Sequence, residues 1–135
     1  MLVLDSEALS ALAHNRPIAR RDAVRACIAE ARRREYPVAT VTAVLAEVVR
    51  GRRTDAAVFS AISRERVEPL NVDTKVAVRA GALLGAVRSG SEMAVDAFVV
   101  AAAEERGGGV IATVDPRDMR RLTAHAQNVF VDDIS

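Results

Sequence analysis

Cysteine, tryptophan, tyrosine and lysine are almost missing from this sequence. There is one cysteine, no tryptophan, one tyrosine, three phenylalanines and one lysine in 135 residues. Cys27 has no partner in the chain, so no internal disulfide holds the fold, which suits a reducing compartment. It reads as a small core residue on a helix. With so few aromatics there is no set of platforms on which the bases of a single strand would stack. No apolar run approaches the roughly 18 residues that a membrane span needs. The opening MLVLDSEALSAL lacks the basic segment and long apolar core of a secretion signal. A soluble, cytoplasmic protein with no membrane partner is expected. His14 and His125 are far apart and have no ligand spacing, which argues against a zinc site or a catalytic triad.

Half of the residues are apolar and 27% are charged, as in an ordinary globular protein. The length supports one hydrophobic core. No repeat, low-complexity stretch or linker divides it, so residues 1–135 are expected to form one domain. A net charge of +1 says little about partners. The basic residues say more, because 18 of the 19 are arginine and ten of these lie between Arg16 and Arg53. Arginine is the better bidentate phosphate ligand, so this region can supply a basic face for nucleic acid. The plainer reading of Arg32-Arg33-Arg34 is a solvated helix face.

Apolar runs alternate with helical periodicity along the chain. Met1–Asp5, Val38–Val41, Arg66–Leu70, Val110–Val114 and Asn128–Val131 read as strands, with Pro69 placing the third at an edge. Helices are expected from Ser6 to Ala13 and from Pro17 to about Glu35. Another follows Thr42, its expected cap, with Gly51 near its end. Others start at Thr54-Asp55, at Asp73 (running to Ser89) and at Pro116. Gly81 and Gly85, four apart, suggest close helix packing. Gly107-Gly108-Gly109 precedes a strand, the wrong order for a phosphate loop, and reads as a helix stop and tight turn. Alternating strands and helices predict an α/β fold with a parallel sheet and helices on both faces.

The stretch from Ala94 to Asp118 is the most informative. Asp96 interrupts AVDAFVVAAA, and a carboxylate among Ala, Val and Phe is costly unless something pairs it. Asp5 and Asp115 stand at or just past strand ends, where open parallel sheets bind ligands. Glu47 is about one and a half turns into the helix after the second strand. If the first and fourth strands are neighbours, these four acids can converge. Carboxylates packed together repel and raise one another's pKa. A hard divalent cation removes that conflict, and an all-oxygen set favours Mg²⁺ or Mn²⁺. Such ions can activate water and stabilise the leaving oxygen of a phosphodiester.

The N-terminal strand ending in Asp5, Glu47 followed by Arg50, VDAFVVAAA around Asp96, and IATVDPRD with Thr113, Asp115 and Asp118 together resemble the PIN domain. More closely, the chain resembles the VapC-type toxins of bacterial toxin–antitoxin pairs. The resemblance spans essentially the whole chain, in order. It implies a PIN-like three-layer sandwich with a five-stranded parallel sheet in the order 3-2-1-4-5. It also implies a metal-dependent endoribonuclease, homodimerisation and inhibition by a cognate antitoxin. On this match Asp5, Glu47, Asp96 and Asp115 form the acidic quartet. Asp5, Asp96, Asp115 and the added carboxylate Asp118 are then the metal-holding set, supported by Thr113. Ser6-Glu7 and Val100 depart mildly from the usual pattern and leave the RNA substrate open.

Each acid also has a plainer reading. Asp5 and Asp115 suit helix caps, Glu47 can pair with Arg50, and Asp96 and Asp118 suit helix starts. Asp22, Asp55, Asp73, Asp132 and Asp133 read as surface or capping residues. Two other functions compete. A phosphoreceiver-like signalling domain shares an acidic pocket, but it needs an Asp ending the third strand and a Lys near the end of a later one; here that strand ends at Leu70-Asn71 and the only Lys is Lys75. A PIN fold that binds a partner without catalysis is the other, and the intact acids argue against it.

Overall fold

Leu2–Leu4 form β1, three buried apolar residues at the centre of the sheet. A strand covered on both faces has no position for a solvated side chain, which is why this one does not alternate. The computed structural model describes all residues, 1–135. β2 (Val38–Val41), β3 (Glu68–Leu70), β4 (Gly109–Thr113) and β5 (Val129–Asp133) complete an all-parallel sheet in the order β3-β2-β1-β4-β5. Leu2 faces Val38 on one side and Val110 on the other. Pro69 lies on the edge strand β3, as expected.

The helices are α1 (Ser6–His14), α2 (Ile18–Arg33), α3 (Thr42–Val48), α4 (Asp55–Arg64), α5 (Thr74–Ala86), α6 (Ala94–Glu105) and α7 (Pro116–Thr123). From β1 the chain steps to β2 and β3 in one direction, then crosses back to β4 and β5 in the other. Right-handed crossovers therefore place α1–α4 on one face and α5–α7 on the other. The apolar helix α6 lies against β2, β4 and β5 and packs beside α5 and α7. Its Ala97 and Val99–Ala103 are buried in the single large core cluster. No helix is long and apolar enough to cross a membrane.

Several local expectations are corrected. α3 stops at Val48, short of Gly51, so residues 49–54 form a loop. Thr42 does not cap α3; its Oγ1 accepts the Val72 N–H at 3.3 Å and ties α3 to the segment after β3. α5 ends at Ala86, before Ser89. β5 runs on to Asp133 because Ala112 and Thr113 of β4 continue to pair with Asp132 and Asp133. Gly81 and Gly85 do not mediate close packing: both are exposed, and a Cβ added at either would meet nothing within 4 Å. The strand order also separates this fold from the phosphoreceiver-like alternative, whose sheet runs 2-1-3-4-5.

Candidate functional site

Because every strand is parallel, the ends of β1 and β4 reach the same sheet edge, and adjacent pairing brings them together. Asp5 follows β1 directly and is 6% exposed. One of its oxygens accepts the Ala8 N–H at 2.9 Å, so it caps α1 while it faces the cleft. Burial raises its carboxyl above the ordinary Asp value; hydrogen bonding from the Thr113 side chain and the Ala8 N–H opposes the rise without cancelling it. Thr113 ends β4 and is fully buried. Its Oγ1 also accepts the Asp115 N–H at 3.0 Å. One hydroxyl thus links the two strand ends.

Asp96 enters from the first turn of α6, on the opposite wall. Burial first, then the charges of Asp5, Glu47, Asp115 and Asp118, push its carboxyl up to about 6. The sequence places a carboxylate in an apolar helix, and the fold surrounds it with four more. Glu47, exposed on α3, accepts the Ser6 hydroxyl. It does not pair with Arg50, whose Nη1 donates to the Ala46 carbonyl at 2.8 Å. Asp115 stands at the N-cap position of α7 with Pro116 behind it, yet its side chain makes no capping hydrogen bond. Asp5, Glu47, Asp96, Thr113 and Asp115 line one cleft of about 580 Å³.

Asp118 does not line that cleft. It pairs with Arg121 at 3.4 Å, although its charge still reaches Asp96. No three acidic side chains are gathered tightly enough to make a ready-made metal cage. The donor chemistry nonetheless fits a hard divalent cation. The donors are all oxygen, and the mutual repulsion that raises Asp96 is what a cation would relieve.

The arginines divide by position. Arg32, Arg33 and Arg34 lie around the end of α2, just before β2 begins, at the sheet edge opposite the cleft. Arg33 and Arg34 pair with Glu30, and Arg32 donates to the Glu65 carbonyl. Arg50 is the one basic residue lining the acidic cleft. Asp55 was expected to be a surface or capping residue, but it is 9% exposed and its carboxylate accepts the N–H groups of Arg50 and Arg52. The sequence holds a weak signal for it, in an acid placed right after an arginine- and glycine-containing loop. Asp73 does cap α5, accepting the Val76 N–H at 2.9 Å.

A second cavity, of about 450 Å³, lies at the opposite sheet edge and is mostly apolar, with Cys27, Tyr36 and Val110 in its wall. Cys27 is half-buried and its thiol donates to Asp132 at 3.2 Å. Burial and the Asp132 carboxylate push that thiol up to about 12, so it carries no nucleophile at neutral pH. The acids at the strand ends line the polar cleft instead.

Comparison with curated proteins gives no match. A solved structure similar to this chain comes from VapBC2 of Rickettsia felis bound to a DNA fragment from their promoter. The likeness covers 98% of this chain and 97% of that one, with a TM-score of 0.68. At 13% identity it is a likeness of fold. The sequence of residues 2–124 matches the model of the PIN domain, and with the strand order and the acid-lined edge already described, the chain belongs to the PIN domain family.

Proposed function

We propose that the protein is a Mg²⁺- or Mn²⁺-dependent endoribonuclease and the toxin of a type II toxin–antitoxin pair. The observation that carries this reading is the meeting of Asp5, Glu47, Asp96 and Asp115, from four separate parts of the chain, in one cleft. PIN domains are generally nucleases, which supports hydrolysis of a phosphodiester. The likeness of fold to a chain of a VapBC complex supports the toxin assignment.

In this reading Asp5, Asp96 and Asp115 hold the cation, with Asp118 adding charge from outside the cleft wall. Bound there, a divalent ion supplies Lewis acidity toward water and phosphate oxygens and neutralises developing charge. The chain's own groups do the rest. The carboxyl of Asp96, raised to about 6 by burial and its acidic neighbours, would be held in its ionised form by a bound cation, whose charge relieves that repulsion. The water oxygen bonds to phosphorus as the bond to the leaving oxygen breaks; the water gives its proton to solvent and the leaving oxygen takes one from solvent. Thr113 holds the backbone of Asp115 and the carboxylate of Asp5 in place. Glu47, steadied by Ser6, completes the acidic wall. An antitoxin inhibits by placing a basic side chain among these acids, a charge-assisted contact that competes with the cation. The active form is a homodimer.

The test is cleavage of cellular RNA by the purified protein with Mn²⁺ or with chelator, alongside Asp96→Asn. The parent should cleave only with metal, and Mn²⁺ should raise its melting temperature, since a ligand of the native state stabilises it. Asp96→Asn should lose on the order of a hundredfold or more in rate and lose the metal-induced shift. Metal-independent cleavage, or an unchanged metal response in Asp96→Asn, would overturn the reading.

A further inference from the structure

The cleft presents a problem for a polyanionic substrate. Glu7 joins Asp5, Glu47, Asp96 and Asp115 in its wall, and Arg50 is the only cation among them. RNA must approach this acidic surface before any chemistry, so something has to hold its phosphates there. Arg50 is exposed, and its guanidinium is committed only through Nη1, to the Ala46 carbonyl at 2.8 Å. Neither Arg50 nor its neighbours Arg52 and Arg53 belongs to any of the nine ion pairs of the molecule. Arg33 and Arg34, at the far edge, are by contrast both paired with Glu30.

The loop that carries these arginines is held from below. Asp55 Oδ1 and Oδ2 accept the Arg50 N–H at 3.0 and 3.2 Å, and Oδ2 accepts the Arg52 N–H at 2.9 Å. Gly51, at φ +71°, makes the turn that lets successive N–H groups converge on one carboxylate. Asp55 is nearly buried, so its charge is spent on the loop backbone, and none of the three guanidiniums is drawn into an ion pair. Such charge-assisted bonds are the stronger kind, and a buried acceptor leaves the loop little freedom.

We propose that the Arg50–Arg53 loop is the phosphate-binding rim of the cleft, that Arg50 contacts the RNA backbone beside the acidic site, and that Asp55 is the positioning residue that holds the loop for it. This rests on the ribonuclease reading above. Because RNA binding is charge-driven, the rim sets KM and its salt dependence.

The test is steady-state cleavage of a fluorescent single-stranded RNA in Mn²⁺ over roughly 50 to 200 mM KCl. It compares the parent with Arg50→Gln, Asp55→Ala, Asp55→Asn and the far-edge double variant Arg33→Gln/Arg34→Gln. Arg50→Gln should raise KM several-fold and flatten the log–log salt slope by about 0.7, one single-strand phosphate contact. The far-edge double variant should match the parent. Asp55→Ala removes a negative charge, so charge alone predicts tighter RNA binding, whereas loss of positioning predicts a higher KM. Asp55→Asn, which keeps one carbonyl acceptor, should recover part of the loss. Should Asp55→Ala fail to fold in melting curves, Asp55→Asn and the exposed Arg50→Gln still decide the matter. A parental KM and salt slope in Arg50→Gln, or a loss confined to kcat, overturns the proposal. So does tighter binding in Asp55→Ala. If the parent itself cleaves no RNA, it is the ribonuclease reading that fails.

Discussion

Asp115 is the residue at which a structural and a chemical role predict different outcomes. It stands at the N-cap position, but its side chain accepts no N–H from α7. A working cap loses roughly 1 kcal/mol when changed to Ala and much less when changed to Asn. Here neither change should matter to the fold, because no such bond is broken. We expect Asp115→Asn and Asp115→Ala to melt within about 0.5 kcal/mol of the parent in chelator, as surface substitutions do. Both should lose most of the Mn²⁺-dependent cleavage, since both remove the charge. Melting curves in chelator and initial rates in Mn²⁺ separate the roles. Near-parental cleavage by Asp115→Asn would show that its charge is not needed, and a much lower melting point for Asp115→Ala alone would restore the cap.

Among the elements, α5 and the turn after α6 use glycine for opposite reasons. Gly81 and Gly85 face open space on an exposed helix surface, and neither has a positive φ. A helical glycine costs about 0.5–1 kcal/mol relative to alanine, so Gly81→Ala and Gly85→Ala should each stabilise the protein by about that much. Gly108 stands at φ +107°, and an added Cβ would collide with the backbone and side chain of Asn128, just before β5. Gly108→Ala should therefore destabilise by more than about 2 kcal/mol, the scale of strained-backbone changes. Chemical denaturation of the three variants checks this. If Gly81→Ala or Gly85→Ala destabilises instead, that face of α5 is covered by something in solution, a second copy included.

The balance of carboxylates over the whole molecule sets how its stability responds to pH. Asp5 and Asp96 have folded-state pKa values above their ordinary ones, so the native state binds protons more tightly than the unfolded chain there. Each is harmless below about pH 4 and increasingly costly as pH rises toward Asp96's value of about 6. Asp55, held by backbone N–H groups, and Glu104, held by Arg79, are lowered and act the other way: their stabilisation is lost as pH falls into the acid range. The metal-free protein should be most stable in mildly acid solution and lose stability toward neutrality. Asp96→Asn should resemble the parent near pH 4 and exceed it at pH 7, with the order reversed by Mn²⁺. Melting temperatures against pH, in chelator and then in Mn²⁺, would show this; parallel curves in chelator would sink it.

The strand periods, the buried character of β1 and the apolar helix around Asp96 are local properties, and they were enough to read an α/β fold with a parallel sheet. Side-chain alternation and helix period depend on near neighbours, so one sequence carries them. The acids at strand ends were also legible, because a parallel sheet puts every such end on one edge. Other features depended on what the chain meets in space. Helix α3 ends early because Asp55 draws the backbone of Arg50 and Arg52 into a loop. Thr42 serves Val72 instead of its own helix. The far-edge arginines pair with Glu30 while Arg50 reaches the cleft, though ten arginines between Arg16 and Arg53 look alike in the sequence. Gly81 and Gly85 have packing spacing but face outward. The sequence by itself determined which residues are apolar, acidic or basic and at what period, and so the layers of the fold. Only the tertiary structure decided which charges stand together, because a carboxylate's partner and its pKa come from groups tens of residues away that packing brings within a few ångströms.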